Sequence, residues 1–284
     1  MAPYMAEQVE FEALRHELAS WWAVSRRKLL RETVAKALHG KCEARVLDLG
    51  CAAQLNFGEA ATFRVVNAHG SLPVLAFHQI EGHYNLVCSL PEELAFPSNS
   101  FDSVMCGDVL QSASDDVAVL REVRRVLKDG GWLCVTAPAY MFLWGEEDEA
   151  SGHQRRYTAS ELRRKLNTCG FEIHRVSYFV TTGFVPSVIE RFAKNVFKKT
   201  VPHLPHAGGT SDLANAAMVG LLDIERRLMR FINLPFGTRL VCWARKPALA
   251  AERVMVPAWE RQWARHPLPQ GSSYSALPEA PFAR

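Results

Sequence analysis

The stretch that decides the fold is RVLDLGCAAQLNFGEA, residues 45–60. Residues 46–49 are apolar except for Asp48, which predicts a short, buried β-strand. Gly50 follows directly, as in the tight loops that let the backbone of nucleotide-binding α/β folds approach a ligand closely. Two further glycines are expected in such a loop, but this chain has Ala52 and Gln54 in their places. The stretch therefore predicts a nucleotide-binding type of fold whose loop is altered.

Composition limits the class of protein. The chain has 284 residues, of which 48% are hydrophobic, so it can bury a substantial core in one domain with extensions. Charged residues make up 22% and the formal net charge is only +3, without a basic stripe, so we expect no nucleic-acid partner. There is neither an apolar signal core nor a run of about 18 apolar residues, which predicts a cytoplasmic protein that at most lies on a membrane surface.

The seven cysteines are scattered along the chain and are never spaced C-x-x-C. Most of them fall in apolar runs, where cysteine behaves as a small hydrophobic residue. Their odd number and irregular spacing argue against a disulfide framework and against a zinc site. We therefore expect no metal site and a reducing compartment.

Short apolar runs alternate with helical patterns through most of the chain. Strand patterns occur at residues 45–49, 63–68, 85–88, 103–106, 132–137, 171–180 and 238–246. Between the fourth and fifth of these runs, VAVLREVRRVL places Val117, Leu120, Val123 and Leu127 on one helical face. Another helical pattern follows the fifth run. This alternation predicts an α/β fold with a mainly parallel sheet covered by helices on both faces.

Five segments are predicted along the chain. They are an N-terminal helical cap (1–40), an α/β core (41–183), a helical insertion or lid (184–236), the last core strand (237–246) and an extended C-terminal arm (247–284). The arm holds six of the fifteen prolines together with Trp259 and Trp263. Proline limits the entropy lost on ordering and tryptophan often dominates interface energies, so the arm is predicted to dock on a partner protein or on a second copy of the chain.

Residues 184–199 form a basic amphipathic segment. Val185, Ile189 and Phe192 lie on one predicted helical face, and the basic residues lie mainly elsewhere. One interpretation is that this segment lies on an anionic membrane or binds an apolar acceptor. The alternative is a lid helix that packs on the domain.

Three motifs together resemble the class I S-adenosylmethionine-dependent methyltransferases, in particular their small-molecule branch. They are VLDLGC (46–51), AFPSNSFDSVMCGDVL (95–110) and LREVRRVLKDGGWLCVTAP (120–138), and SWWAVSRRKLL (20–30) and DEASGHQRRYTASELRRKL (148–166) strengthen the likeness. The resemblance covers roughly residues 15–245. It implies a Rossmann-like class I methyltransferase fold, with a seven-stranded, mostly parallel sheet, a reversed last strand and helices on both faces.

The resemblance also implies where S-adenosylmethionine would bind, at the carboxyl ends of the first strands. Asp48 and Gly50 match the family loop, and Asp108 stands in family position at the end of the fourth strand. His69 occupies the position of the acid that accepts the ribose hydroxyls. The position of the acid that accepts from the adenine amine falls at Ser89 or Leu90, with Glu92 or Glu93 as substitutes two or three residues away. His69 retains the capacity to donate a hydrogen bond, although a histidine at a strand end is often simply solvated.

The missing acids have a predictable cost. A hydrogen bond to a charged acceptor contributes about 1.5–3 kcal/mol. Losing two such acceptors removes about 3–6 kcal/mol, which corresponds to a hundred- to ten-thousand-fold weaker cofactor binding. The sequence therefore predicts that the S-adenosylmethionine site is eroded and the cofactor lost.

The other side of the site keeps the family pattern D-E-x-x-G-H-x-R-R-Y. Its members here are Asp148, Glu149, Gly152, His153, Arg155, Arg156 and Tyr157. In a functional interpretation, His153 is a general base or a hydrogen-bond donor to the acceptor, and the two arginines bind an anionic group. In a structural interpretation, Asp148 and the arginines form an ion-pair network that fixes the loop above a packed Tyr157.

Two functional hypotheses follow from these patterns. The first is a methyltransferase-fold protein without the methyl donor, acting as a binding or assembly subunit or as an enzyme repurposed to another reaction. The second is a working methyltransferase that acts on a small or lipid-linked acceptor, with His153 as a base and with unusual cofactor contacts. A nucleic-acid-modifying enzyme is disfavoured because the chain has no basic groove.

Overall fold

A computed structural model of the chain describes part of it. The described residues are 19–39, 41, 43–50, 63–83, 85–197 and 211–248. The predicted first helix of the N-terminal cap, the loop residues Ala52 and Gln54, and the predicted docking arm with Trp259 and Trp263 lie outside these residues.

Seven strands form one sheet in the order β3-β2-β1-β4-β5-β7-β6. The strands are β1 Arg45–Leu49, β2 Arg64–His69, β3 Leu86–Cys88, β4 Phe101–Gly107, β5 Leu127–Pro138, β6 Glu172–Phe179 and β7 Arg239–Arg245. Neighbouring strands from β3 to β5 are parallel, whereas β7 runs antiparallel to both β5 and β6. The predicted mostly parallel sheet with a reversed last strand is confirmed.

The helices follow the strands as the alternating pattern predicted. The seven α-helices of the described part are α1 Trp21–Ala37, α2 Leu72–Ile80, α3 Asp116–Val126, α4 Glu146–Ala150, α5 Ala159–Thr168, α6 Phe184–Phe197 and α7 Asp212–Leu228, and a 3-10 turn spans Met141–Leu143. Helix α2 was not predicted from the sequence. Its signals are weak, because it is only nine residues long and its N-cap residue, Ser71, makes no side-chain capping bond.

The interior packs around β4 and β5. Val104 and Val135 from these strands are fully buried, as are Leu120 and Val123 on one face of α3. This helix begins where the side chain of Asp115 accepts hydrogen bonds from two backbone N–H groups of the first turn. Such an N-cap stabilises a helix by about 1 kcal/mol. Leu120 and Val123 of the predicted helical face thus cover the sheet, and Val117 packs there partly buried, but Leu127, which was placed on the same face, is the first residue of β5.

The helices α6 and α7 leave large apolar side chains exposed. Val185, Ile189 and Phe192 on α6 are more than half exposed, as is Ile224 on α7. Among the helices that the structure describes, none combines the length and the hydrophobicity needed to cross a bilayer. The proposed contact of residues 184–199 with a membrane surface or an apolar acceptor stays a prediction.

Lys246 closes the core just after β7. Its buried ammonium group donates to the carbonyl of Leu127 at 2.7 Å and to Oδ1 of Asn99 at 2.8 Å, and it lies 3.2 Å from Oδ1 of Asp129. These bonds tie the end of β7 to the start of β5. Within the described residues, Lys246 is the last one that bonds to the sheet.

Truncation after Ala248 should leave the thermal unfolding transition unchanged, because the bonds that close the core end at Lys246. Lys246→Met, which keeps the aliphatic contacts but removes the buried hydrogen bonds, should instead lower the free energy of unfolding by about 1–3 kcal/mol. Denaturant titration of both proteins, with light scattering for the oligomeric mass, checks this. If the truncated chain unfolds at a lower denaturant concentration than the Lys246→Met variant, the arm belongs to the folded core. An unchanged mass and unchanged partner recovery would remove the predicted docking role of the arm.

Candidate functional site at the carboxyl ends of the strands

A cavity of about 600 Å³ lies at the carboxyl ends of β1, β2 and β4. This is where open α/β sheets bind ligands, and the volume is that of a small-molecule site. Three of the sequence-predicted residues from one side of the site, Gly50, His69 and Asp108, line it. His153 from the other side lines it too, so the fold brings the two predicted groups to one cavity.

Gly50 is the turning point after β1. Its φ is +75°, and a Cβ atom at this position would collide with Cγ2 of Val109. Its N–H donates to the carbonyl of Ala68 at 3.0 Å, which holds the start of the loop against β2. Asp48 is fully buried within β1 and does not line the cavity. The glycine is thus required by backbone geometry and by packing, whatever the cavity binds.

His69 is the last residue of β2 and is half-buried at the cavity wall. Its Nδ1 accepts a hydrogen bond from the N–H of Ser71 at 3.0 Å. The proton of the neutral ring is therefore on Nε2, which can donate but cannot accept. Burial lowers the pKa of His69 below its ordinary value, so the ring is neutral at pH 7. His69 is thus a neutral hydrogen-bond donor in a position where the family has a carboxylate that accepts from the two ribose hydroxyls.

The loop after β3 supplies no free acid in the adenine position. Ser89 is buried, and its hydroxyl is bonded within the loop. Leu90 is 61% exposed and lines the cavity. Glu92 also lines it, but its Oε1 accepts from the N–H and the hydroxyl of Ser114, both at 2.9 Å.

Asp108 follows β4 with a φ of +55°. Its Oδ2 accepts from Arg26 at 2.8 Å, and its Oδ1 lies 3.3 Å from the hydroxyl of Thr136 and 3.6 Å from Arg239. Burial disfavours the charged form of this carboxyl group, but Arg239 and Arg26 outweigh that cost and hold its pKa below the ordinary value. Asp108 is therefore an ionised carboxylate that two guanidinium groups already engage. It neither caps a helix nor stands free for a ligand.

On the opposite wall, His153 is held by Asp148. Nδ1 of the ring lies 2.9 Å from Oδ1 of the buried carboxylate. Arg156 donates to the same carboxylate through Nε and Nη2, and the N–H of Gly145 donates at 2.8 Å. Burial opposes ionisation, yet the bonds from His153 and Arg156 hold the pKa of Asp148 well below its usual range.

The remaining members of the retained pattern serve the structure around the cavity. Arg155 donates to the backbone carbonyl of Ala113 at 2.8 Å, and Tyr157 is buried with its hydroxyl 2.7 Å from Oδ2 of Asp116. Glu149 is exposed. Neither Arg155 nor Arg156 lines the cavity. Both arginines form ion pairs within the protein, as in the structural interpretation. Arg156 pairs with Asp148, but the partner of Arg155 is Asp116.

Three residues of the site were not predicted from the sequence. Trp22 and Arg26 of α1 and Arg239 of β7 line the cavity. The motif that contains the first two was noted as part of the resemblance, but nothing in it shows which of its basic residues points inward. Arg239 carries no signal in the sequence, because its place depends on the insertion of β7 between two other strands.

The carboxylates at this cavity decide how well the residues present fit S-adenosylmethionine. Among the described residues that line it, the acids are Asp108 and Glu92, and both are engaged by the protein. His69 and Leu90, which stand in the positions of the family's acids for the ribose hydroxyls and the adenine amine, carry no carboxylate. The described side chains do not fit the cofactor in the family's way. The described residues also contain no cluster of His, Cys, Asp and Glu that could hold a metal ion.

The strand order, with a reversed β7 between β5 and β6 and a cavity at the carboxyl ends, defines a class I methyltransferase fold. Residues 47–135 match the family model described as "Methyltransferase domain". The described part of the chain thus has a class I methyltransferase fold, and residues 47–135 are similar to the methyltransferase domain of that family.

Two curated relatives are similar over part of their length. A demethylmenaquinone methyltransferase of Staphylococcus haemolyticus is 32% identical over 121 residues, covering 37% of this chain and 48% of the relative. A ubiquinone biosynthesis O-methyltransferase of Pseudomonas aeruginosa is 29% identical over 168 residues, covering 48% of this chain and 66% of the relative. The chain thus spans about half to two thirds of the length of the relatives that it matches.

A solved structure shows the same fold. The [4+2]-cyclase SpnF superposes with a TM-score of 0.50 at 22% identity, over 80% of this chain and 82% of that one. Shared fold does not fix the chemistry, since function depends on the site.

Asp148→Asn should lower the free energy of unfolding at pH 7 by about 3–5 kcal/mol, because His153 and Arg156 lose a buried charged partner. The folded-state pKa of Asp148 lies below its unfolded value near 3.9, so its stabilisation is complete above about pH 5 and is lost as the pH falls below about 4. The stability difference between the two proteins should therefore shrink on acidification. Denaturant titrations between about pH 6 and pH 3 measure it.

The exposed neighbour Glu149 provides the matched control. Glu149→Gln should change the free energy of unfolding by no more than about 0.5 kcal/mol at any of these pH values. A deficit of Asp148→Asn that stays constant with pH would contradict an ionised pair.

Proposed function

We propose that this chain is a methyltransferase-fold protein that binds a small molecule in its cavity without using S-adenosylmethionine as a methyl donor. It would act as a binding or assembly subunit, or as an enzyme repurposed to another reaction. The observation that carries this proposal is that both acids lining the described cavity are already engaged, Asp108 by Arg26 and Glu92 by Ser114.

The cofactor side and the acceptor side of the cavity differ in what they offer. On the cofactor side, His69 presents a donor and Leu90 an apolar side chain where the family uses acids. On the acceptor side, His153 is held by Asp148 and faces the cavity. Erosion confined to the cofactor side supports continued use of the cavity for another ligand.

Wild-type protein should show no binding of S-adenosylmethionine below the high-micromolar range in isothermal titration calorimetry. His69→Asp restores a carboxylate at the end of β2, where it can accept the ribose hydroxyls. This variant should bind the cofactor about ten- to a hundred-fold more tightly than the wild type, since each bond to a charged acceptor is worth about 1.5–3 kcal/mol.

His39→Asp makes the same change of side chain at the exposed end of the segment after α1, away from the cavity lining. It should leave cofactor binding as weak as in the wild type. A low-micromolar dissociation constant for the wild-type protein would falsify the proposal.

A second candidate is an active methyltransferase that acts on a small or lipid-linked acceptor. The specific observation in its favour is the His153–Asp148 pair at the cavity. A carboxylate bonded to one ring nitrogen fixes the tautomer and the orientation of a histidine, which leaves the other nitrogen able to take a proton from an acceptor hydroxyl. The names of both curated relatives are consistent with this candidate.

If this second candidate is correct, purified protein should carry S-adenosylhomocysteine, which mass spectrometry of the denatured sample detects. His153→Ala should then lower turnover by about a hundred- to ten-thousand-fold while the melting temperature shifts by only a few degrees. Unchanged turnover in this variant would reduce His153 to a structural role.

A further inference from the structure

Arg239 brings unused hydrogen-bond donors to the cavity. A guanidinium group has five N–H donors. Within the described part of the chain, the side chain of Arg239 makes only an ion pair with Asp108 at 3.6 Å and lies with Cζ 4.7 Å from the ring centroid of Trp22. No acceptor within hydrogen-bond distance is supplied there. The group therefore faces the cavity with its donors available.

Arg26 adds a second guanidinium to the same wall. The residue is only 6% exposed and lines the cavity. Nη1 donates to Asp108, but Nε is buried without a hydrogen-bond partner among the described residues. That nitrogen is closed to solvent, so Arg26 contributes to the cavity through its positive charge rather than through Nε.

The local charges do not balance. The connected group at this wall contains two guanidinium groups, those of Arg26 and Arg239, and one carboxylate, that of Asp108, whereas Glu92 of the same cavity is bonded to Ser114. One positive charge is thus in excess without counting His153. Burial lowers the pKa of Arg239, which is the sign of a charge held in a poorly solvated place. A ligand with a single negative charge would neutralise the group, whereas a dianion would reverse its sign.

We propose that Arg239 and Arg26 form a carboxylate-binding subsite for a small organic acid. The planar fork of a guanidinium matches a carboxylate in a bidentate manner, and Trp22 supplies an apolar wall beside it. His153 lies on the same cavity and contacts a polar group elsewhere on the acid. This inference rests on the proposed function, because it places the acid in the cavity that the cofactor would otherwise share.

The test compares charged probes with neutral ones of the same shape. Acetate, benzoate and para-hydroxybenzoate are titrated into the full chain by calorimetry, each beside its amide, and phenyl phosphate serves as the dianion. At least one carboxylate should bind at least about tenfold more tightly than its amide, since a bond between charged groups is worth about that factor. Phenyl phosphate should bind more weakly than benzoate.

Two variants should change the affinity in opposite directions. Arg239→Met should weaken carboxylate binding about ten- to a hundred-fold. Asp108→Asn removes the competing carboxylate and should strengthen binding several-fold, and asparagine tolerates the positive φ of this position. Arg64→Met, at an exposed ion pair at the start of β2, is the matched control and should leave the affinity unchanged. Melting curves confirm that each variant is folded.

Each outcome of these titrations either supports or overturns the carboxylate subsite. Equal affinity for carboxylate and amide, no binding of any carboxylate up to about 10 mM, or weaker binding by Asp108→Asn as well as by Arg239→Met overturns the subsite. Tighter binding of phenyl phosphate than of benzoate overturns the choice of a monoanion. Failure of the proposed function is a separate result, because it is measured as low-micromolar binding of S-adenosylmethionine by the wild-type protein. If that occurs while the carboxylate preference holds, the subsite stands and the proposed function falls.

Discussion

The carboxylate of Asp108 joins three parts of the chain at the open end of the sheet. It lies directly after β4, accepts from Arg26 of α1, and pairs with Arg239 at the start of β7. An ionised group with such small exposure is stable only if opposite charges and hydrogen bonds offset its desolvation. The cavity wall on this side depends on that balance. Helix α1 belongs to the site for the same reason, since Arg26 in its second turn is the partner of Asp108.

A second buried carboxylate, that of Asp148, holds the opposite wall of the cavity in place through ion pairs and hydrogen bonds. Asp148 is surrounded by His153, Arg156 and the N–H of Gly145, and these bonds fix the short helix α4 and the loop after it. The two acids retained from the family pattern thus serve first as anchors for cations. Their effect on a ligand is indirect, because they determine which way His153, Arg26 and Arg239 face. Neither anchor depends on the residues at the ends of β2 and β3.

Sequence patterns could predict only part of the site. Gly50 was identified because it follows a strand that the hydrophobic pattern located, and His69 and His153 were identified because they stand in positions of the methyltransferase motifs. The roles of the arginines were harder to predict from the sequence. Arg155 and Arg156 were interpreted either as a grip for an anion or as part of an ion-pair network, and both bond to groups of the protein, whereas the guanidinium groups at the cavity are those of Arg26 and Arg239. The positions of charged residues along the sequence do not show which of their side chains lie together in one buried region.

The sequence by itself determined the strands, the longer helices and the class of fold, because alternation of apolar runs and amphipathic helices is a local property of the chain, but the short helix α2 left no such signal. It also determined that acids are missing where the family uses them. Only the tertiary structure decided that the remaining cavity-lining acids are already engaged and that unused donors face the cavity. The physical reason is that desolvation and charge pairing depend on distances across the sheet. The insertion of β7 beside β5 sets those distances for Arg239, and no local pattern encodes them.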